Sequence, residues 1–434
     1  MRKNQVDIIT LGCAKNLVDS ERLMMQFKAN GYHVRHDPER VSAEVVVVNT
    51  CGFIGAAKEE SIATILALAE AKKKRRIGQL FVMGCLSERY LKELEAELPE
   101  VDRFYGKFDW QRIISDLGFA YRNNLSNDRV LTTPQHYAYV KIAEGCNRTC
   151  AYCAIPIITG KFVSRPIEEI LREVETLAQN GVKEFQLIAQ DLTFYGKDIY
   201  KRVRLADLVE QMAQIPNVKW IRLHYAYPHQ FPMDILPVIR RYNNVCNYLD
   251  MALQHISDPM LKRMRRHITK SETIELIKII RQEVPNIHLR TTLMLGHPGE
   301  TEQDVEELIT FVEQTRFEHL GTFAYSDEEG TYSSLRYNDT ILQEEKQRRV
   351  DRIMSLQQGI AAELNEKKIG QTLQTIIDGE DEHFYIGRTE YDSPEVDGEV
   401  LIAKSESSKL KIGEFYDVKI TASENFDLYG TVTK

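Results

Sequence analysis

Apolar runs typical of strands alternate with amphipathic segments over the first third of the chain. Short, mostly apolar runs predict strands at 6–11, 44–49 and 80–84. Apolar residues at helical spacing predict one helix that ends before Gly31 and another at 61–71. Strands joined by helices in this way predict a doubly wound α/β unit with a parallel sheet.

The same alternation resumes at Tyr137 and continues for six repeats. Strands are predicted at 137–143, 184–189, 218–223, 247–253, 288–295 and 319–325, and helices open near Pro166, Leu205, Phe231, Ser271 and Thr301. Six β/α units predict a partial version of the eight-fold TIM-like barrel, whose reactive residues lie at the carboxyl ends of the strands. A charged helix is predicted at 342–367.

The last segment changes to short strands separated by glycine-containing turns. Strands are predicted at 371–377, 383–386, 398–403, 415–421 and 428–432. Five strands of this size predict a small antiparallel β-barrel. The chain is therefore predicted to have three domains, at 1–131, 132–367 and 368–434.

Composition supports a multi-domain globular protein, and the distribution of charge distinguishes the last predicted domain from the other two. The 434 residues are 43% hydrophobic and 28% charged, which excludes wholesale disorder. No apolar run is long enough for a membrane helix, and the first run carries Asp7, so we expect a cytoplasmic protein. Residues 368–434 hold 7 Lys/Arg and 14 Asp/Glu, a net charge of -7 in a chain whose total is -8. This acidic module suits a basic partner.

The clearest chemical signal is a cysteine cluster directly after the first barrel strand. Cys146, Cys150 and Cys153, here named the central trio, have the spacing C-x3-C-x2-C. Three thiolates on one tight loop suit a soft metal centre such as an iron–sulfur cluster. A structural zinc needs a fourth ligand, and no further Cys or His follows in the loop. Buried free thiols are the alternative.

Three other cysteines, Cys13, Cys51 and Cys85, each stand just beyond a predicted strand. The carboxyl ends of parallel strands lie at one edge of a sheet, so these residues, the N-terminal trio, are expected to converge and hold a second cluster. The alternative is that cysteine is simply frequent in buried sheets. Cys246 has no such context and is predicted to be an inert core residue.

The segment EGCNRTCAYCAIP, with Tyr152 before the last cysteine, resembles the radical S-adenosylmethionine (SAM) superfamily. The resemblance implies a [4Fe-4S] cluster on the central trio, SAM at its open iron and a 5′-deoxyadenosyl radical. It also implies cofactor contacts for Tyr152, Gln190, Gly296 and Gly299. Gln190 stands where many members have a glycine-rich segment, and a plain turn is the alternative at 296–300.

The two cysteine trios together resemble the methylthiotransferases, over essentially the whole chain. The segments TLGCAKNLVDSE and GRTEYDSPEVDGEV are most similar to the branch that modifies an aspartate of the small-subunit ribosomal protein uS12. The resemblance implies two [4Fe-4S] clusters, SAM, and a C-terminal TRAM domain. In the reaction it implies, one SAM methylates a sulfur on the N-terminal cluster. A second SAM is cleaved at the central cluster, and the methylthio group is added to the aspartate β-carbon.

Two alternatives to this function stay open. The tRNA branch of the same enzymes modifies an adenosine, although it tends to show a GCQMN-like first motif and a more basic TRAM domain. A non-catalytic zinc-binding scaffold is the other. We expect basic uS12 to meet Asp392, Glu395, Asp397 and Glu399, unless these acids are merely a solvated face. The electron donor is unknown. His224, His255 and Tyr325 lie near strand ends and are expected to be structural, while Arg165 is expected to meet a carboxylate or precede a helix.

Overall fold

The computed structural model describes residues 2–405 and 409–433, so Met1 and Lys434, which end the outer predicted domains, lie outside the described residues. The N-terminal lobe contains β1 (Arg2–Thr10), α1 (Ala14–Ala29), β2 (His33–His36), β3 (Ala43–Thr50), α2 (Gly55–Lys73), β4 (Gln79–Gly84), α3 (Cys85–Arg89), α4 (Leu91–Glu97), β5 (Arg103–Phe104) and α5 (Gln111–Asp116). Its parallel sheet has the order β2-β1-β3-β4-β5. Helices α1 and α5 pack on one face and α2 on the other, which confirms the doubly wound prediction.

The central lobe is built on a parallel sheet of the order β13-β12-β11-β10-β9-β6. Its strands are β6 (Tyr137–Lys141), β7 (Ala143–Glu144), β8 (Val163–Ser164), β9 (Glu184–Ile188), β10 (Trp220–Ala226), β11 (Val245–Gln254), β12 (His288–Leu295) and β13 (His319–Ala324). Its helices are α6 (Ile155–Thr159), α7 (Ile167–Gln179), α8 (Leu205–Ala213), α9 (Ile235–Arg241), α10 (Asp258–Arg263), α11 (Lys270–Glu283), α12 (Glu302–Thr315), α13 (Tyr332–Arg336) and α14 (Gln343–Glu366). Strands β7 and β8 form a separate small hairpin. The predicted six-unit partial barrel is confirmed.

The C-terminal barrel consists of β14 (Thr372–Glu380), β15 (Phe384–Thr389), β16 (Val400–Ala403), β17 (Phe415–Ser423) and β18 (Leu428–Val432), closed in the order β14-β15-β16-β18-β17. Four strand pairs are antiparallel, as predicted, but β16 and β18 pair in parallel. Apolar residues from all five strands fill the interior.

The C-terminal barrel lies against the amino ends of the six central strands. Glu184, at the start of β9, forms fully buried ion pairs with Arg222 (3.1 Å) and with Arg388 of the C-terminal barrel (2.7 Å). Nearby, the ring of Tyr391 stacks on His288 at the start of β12, with centroids 4.1 Å apart. The opposite end of the sheet, where β-strand carboxyl ends meet, is left to the N-terminal lobe.

This arrangement corrects the expected role of two acids of the acidic module, Asp392 and Asp397. Asp397 pairs with Arg290 and accepts a 2.9 Å hydrogen bond from the Tyr248 hydroxyl. Glu395 accepts one from Tyr137, and Asp392 is buried within 3.6 Å of His319. Asp392 and Asp397 therefore anchor the C-terminal barrel to the central lobe instead of facing a basic partner, because a buried charge needs a charged or hydrogen-bonding partner. Glu395 contacts the central lobe but is exposed. Glu399 is exposed.

The N-terminal and central lobes are joined by a buried charge network. The Lys107 ammonium lies 3.3 Å from Asp19 and 3.9 Å from Glu144, and Lys141 contacts both carboxylates. Arg165 pairs with Glu173 at 2.7 Å, which confirms a carboxylate partner for that arginine. Within the described ranges, no helix has the length and hydropathy needed to cross a membrane.

Candidate active site

The N-terminal trio lies at the carboxyl ends of three neighbouring strands. Cys13 caps the amino end of α1, Cys51 directly follows β3, and Cys85 begins α3 after β4. Two glycines permit the close approach of these loops. A Cβ on Gly12 would lie 2.6 Å from the Cys51 Cβ, and one on Gly52 would lie 2.7 Å from backbone atoms of Leu86.

Asn16 holds the same three loops together. Its side-chain amide donates to the backbone oxygens of Leu11 and Thr50, each at 3.0 Å, and its Oδ1 lies 3.7 Å from the Cys85 sulfur. Asn16 is fully buried. The predicted convergence of the three cysteines is therefore built into the ends of β1, β3 and β4.

The central trio lies on the loop between β7 and α6. The Ala151 amide donates to the Met264 carbonyl at 2.9 Å, which fixes the middle of the loop on the central lobe. The Cys150 sulfur accepts a 3.1 Å hydrogen bond from Arg266 and lies 3.6 Å from the Tyr227 hydroxyl. Arg266 also donates to the Tyr152 hydroxyl at 3.2 Å. The loop is thus held in one conformation with a cation beside a sulfur.

Both trios open onto one cavity of about 470 Å³. Every member of each trio lines this cavity, which lies between the N-terminal and central lobes. The segments that carry the trios also contact each other. Cys85 packs with Ala154, which directly follows Cys153, and with Ile158 in one buried apolar cluster. All six thiols of the two trios therefore line one shared space between the lobes.

The thiols of this cavity differ in acidity. Burial raises the pKa of Cys51, and it raises the pKa of Cys85 to about 12 and that of Cys146 to about 11. Burial would also raise the pKa of Cys13, but the ammonium groups of Lys15 and Lys107 and nearby backbone amides hold it below its ordinary value. Cys13 is therefore the member of the N-terminal trio that most readily exists as a thiolate ligand.

Cationic side chains line the cavity beside both trios. Lys107 pairs with Asp19, and the Arg148 guanidinium donates to Asp191 at 2.7 Å and lies 4.1 Å from the Tyr227 ring centre. The Lys15 ammonium lies 3.9 Å from the Tyr225 ring centre. A cavity with cationic side chains in its wall suits negatively charged ligands.

The donor set fits iron–sulfur clusters and a polar cofactor. Gln190 and Gln254 line the cavity, and the side-chain oxygen of each is buried without a hydrogen-bond partner among the described residues. Such oxygens need a donor, and a ligand amine would supply one. No group of three described His, Cys, Asp or Glu side chains is close enough to hold a single metal ion. In a cubane the thiolates bind different irons, so they need not meet at one point.

The structure places the other predicted residues in two groups. Tyr152 and Gln190 line the cavity beside the central trio. Gly296 and Gly299 do not: an added Cβ would meet the Lys346 side chain at the first and the Arg263 guanidinium at the second. Their cofactor contacts stay a prediction.

The remaining strand-end residues have structural partners, as expected. His224 pairs with Gln186 at 2.6 Å, His255 accepts from two backbone amides, and the Tyr325 hydroxyl donates to Asp327 at 3.0 Å. Cys246 is buried against Trp220 and Tyr248 in an apolar cluster, which confirms its placement in the core.

Sequence reasoning missed most of the cavity wall. Arg148 lies inside the cysteine motif, so its position was a usable signal. Lys107, Tyr225 and Arg266 stand far from either trio in sequence, and no local pattern distinguishes them from surface or core residues. Their contribution depends on how the two lobes meet.

Three family models match the chain in order. Residues 5–106 match an uncharacterised protein family, UPF0004. Residues 140–312 match the radical SAM superfamily, and residues 369–433 match the TRAM domain. Each match falls on a different lobe of the structure: the N-terminal lobe, the central lobe and the C-terminal barrel.

Full-length relatives carry one name. The chain is 66% identical over 432 residues to ribosomal protein uS12 methylthiotransferase RimO of Parabacteroides distasonis, with 100% of both chains covered. It is 61% identical over 432 residues to RimO of Porphyromonas gingivalis, again with 100% of both covered. RimO of Cytophaga hutchinsonii is 50% identical, with 100% of this chain and 99% of the relative covered.

Solved structures share the fold at low sequence identity. The radical SAM methyltransferase TsrM of Kitasatospora setae, with tryptophan substrate and a SAM analogue bound, is 13% identical with a TM-score of 0.53. That alignment covers 74% of this chain and 72% of TsrM. The cobalamin-dependent SAM radical enzyme OxsB has a TM-score of 0.53 at 12% identity, with 80% of this chain and 56% of OxsB covered.

Proposed function

We propose, because this chain belongs to the RimO family of ribosomal protein uS12 methylthiotransferases within the radical SAM superfamily, that it adds a methylthio group to the β-carbon of an aspartate in uS12. One observation carries this proposal: all six cysteines of the two trios line the same cavity. A reaction that activates a carbon atom and then attaches sulfur to it needs both centres within reach of one substrate side chain.

The two trios are the proposed ligands of two [4Fe-4S] clusters. Cys13, Cys51 and Cys85 would hold one, and Cys146, Cys150 and Cys153 the other, each leaving one iron without a protein ligand. Gln190 and Tyr152 are proposed contacts of SAM at the central trio. When bound, the clusters and SAM supply the sulfur and radical chemistry for C–H activation, which protein side chains cannot perform.

The chain itself provides position and shelter. Ile54, Ile155 and Ile158 form part of the cavity wall and limit access of water to a reactive group. The charge network of Asp19, Lys107 and Glu144 holds the two lobes at a fixed separation beneath the cavity. The residues thus keep the substrate side chain between the trios while they exclude competing reactions.

The acidic C-terminal barrel is proposed to attract the basic substrate protein through its outward carboxylates. Asp381, Glu382, Glu395 and Glu399 are exposed, whereas the side chains of Asp392 and Asp397 are buried against the central lobe. Exposed charges act at long range and are screened by salt. Their proposed role is therefore to speed encounter with uS12, and the cavity determines which residue is modified.

Anaerobic reconstitution followed by reaction with SAM, a reductant and purified uS12 tests this function. About eight irons per chain are expected for two cubane clusters, and mass spectrometry should find one methylthio group in place of hydrogen on a uS12 aspartate. Cys13→Ser and Cys146→Ser should each lose about half the iron and all methylthio transfer. Cys246→Ser, a buried cysteine outside the cavity, is the matched control and should retain iron.

Two outcomes would contradict the proposal. Modification of tRNA with uS12 unchanged would assign the enzyme to the adenosine-modifying branch. A colourless protein with stoichiometric zinc and no iron would support a scaffold without catalysis.

A further inference from the structure

One cation in the cavity lacks a strong partner. Lys107 and Arg148 each pair with a carboxylate, and Arg266 donates to the Cys150 sulfur, the Tyr152 hydroxyl and the Ala252 carbonyl. Among the described residues, the Lys15 ammonium has a single hydrogen bond, to the Ala189 carbonyl at 3.5 Å. That distance is at the outer limit of a hydrogen bond.

Lys15 is buried, so the shortage of hydrogen-bond partners for its ammonium is energetically unfavourable. Lys15 is only 9% exposed, and its ammonium lies over the face of Tyr225 at 3.9 Å from the ring centre. An ammonium carries three donors and is expensive to bury unless they are satisfied. Since Lys15 also lines the cavity, its remaining donors are available to a ligand there.

Lys15 also connects the N-terminal lobe to the central lobe, close to both cysteine trios. It belongs to the first turn of α1, two residues after Cys13, and its side chain reaches Ala189 at the carboxyl end of β9. Ala189 is followed directly by Gln190, which lines the cavity beside the central trio. An anion bound by Lys15 would therefore lie between the two trios.

On the basis of the proposed function, we infer that Lys15 binds the side-chain carboxylate of the substrate aspartate. The β-carbon that receives the methylthio group is bonded directly to this carboxylate, so one ion pair fixes the reacting atom. A neutral nucleobase would leave the ammonium buried and unpaired, which would disfavour tRNA as substrate. Lys15 is thus a specificity-determining residue.

The test measures binding of uS12, and of uS12 with the target aspartate replaced by asparagine, to the anaerobically reconstituted holoprotein. Wild-type protein should bind the aspartate form roughly 10- to 100-fold more tightly than the asparagine form, which is the range expected for a hydrogen bond to a charged group. Lys15→Met should lose this difference by weakening only the aspartate form. Lys15→Arg should restore part of it.

Lys28→Met is the matched control, because Lys28 is an exposed lysine on the same helix. It should leave both affinities, iron content and SAM binding unchanged. SAM affinity is measured in every variant, since SAM also carries a carboxylate. Lys15→Met should leave SAM affinity as in wild type.

The outcomes separate this inference from the proposed function. If wild-type protein modifies uS12 but binds both forms equally, the function stands and the role of Lys15 is wrong. Loss of SAM affinity in Lys15→Met with uS12 discrimination intact would also overturn it. If wild-type protein neither binds nor modifies uS12, the proposed substrate is wrong and the inference falls with it. If Lys15→Met fails to fold, Lys15→Arg decides the matter, because it should bind the aspartate form more weakly than wild-type protein and the asparagine form equally well.

Discussion

At the scale of single residues, the site depends on a glycine as much as on its cysteines. Gly52 allows the loop after β3 to touch the start of α3, so that Cys51 and Cys85 face the same space. The atoms an added Cβ would meet are backbone atoms, which cannot rotate away. The N-terminal trio therefore requires a glycine at this position for steric reasons.

Gly52→Ala should separate the two cysteine loops and lower the iron content of the N-terminal trio. We also expect it to lower the free energy of unfolding by about 1–3 kcal/mol, the usual cost of an overpacked contact. Iron analysis and urea unfolding of the apoprotein measure the two effects. Gly359→Ala is the control, because no atom lies within 4 Å of its added Cβ and it is inside α14. It should be neutral or stabilise by up to about 1 kcal/mol; equal effects of both changes would contradict the account.

Asp250 is a buried carboxyl that makes the stability of the protein depend on pH. Burial raises the pKa of Asp250 to about 6 from an ordinary value of 3.8, although Arg290 opposes the shift. Its carboxylate accepts a 3.1 Å hydrogen bond from the amide of Tyr225, the residue below Lys15. Ionisation of this carboxyl strengthens its hydrogen bond to Tyr225, but it places a charge in a buried site, and burial is the larger effect.

The stability contributed by Asp250 is fully present below its unfolded pKa and is lost as the pH rises through about 6. The difference between the folded and unfolded pKa values corresponds to about 3 kcal/mol in the free energy of unfolding. Asp250→Asn should therefore gain up to that amount relative to wild type between about pH 4 and pH 7. Denaturant unfolding across this range is the measurement, and parallel pH profiles of the two proteins would contradict the prediction.

At the scale of elements, the sequence predicted the helices and long strands well and the lobe contacts poorly. Strands β1, β3 and β4 each contain a run of apolar residues long enough to indicate a strand. Strands β2 and β5 are only four and two residues long, too short for periodicity to indicate. The role of Asp392 and Asp397 could not be predicted, because charge alone does not distinguish a solvated carboxylate from one paired across an interface. The domain limits at 131 and 367 stay predictions.

Glu184 is the charge on which the junction of the C-terminal barrel and central lobe depends. Glu184→Gln leaves Arg222 and Arg388 buried without their shared carboxylate, and should lower the free energy of unfolding by about 3–5 kcal/mol. Thermal unfolding measures the loss. Glu414→Gln breaks a 2.7 Å pair with Lys183 in which Glu414 is about half exposed, so it should cost less than about 1 kcal/mol. A similar loss in both variants would mean that burial of the Glu184 cluster adds no stability.

At the scale of the whole molecule, the N-terminal lobe and the C-terminal barrel cover opposite ends of the central sheet. The C-terminal barrel covers the amino ends of the central strands, and the N-terminal lobe covers their carboxyl ends, where a partial barrel places its chemistry. The sequence predicted both cysteine trios because each has a recognisable relation to a strand end. It could not predict that they share one cavity, since that depends on docking through residues such as Asp19, Lys107 and Glu144. Those residues have no local signature.

The shared cavity predicts that two reduced clusters are close enough for their electron spins to interact. Electron paramagnetic resonance of the reconstituted, dithionite-reduced protein tests this most directly, with Cys13→Ser and Cys146→Ser providing the spectrum of each cluster alone. We expect the wild-type spectrum to be broadened and split relative to the sum of the two variant spectra. A wild-type spectrum that equals that sum would show that the clusters do not interact, and would contradict a common reaction chamber.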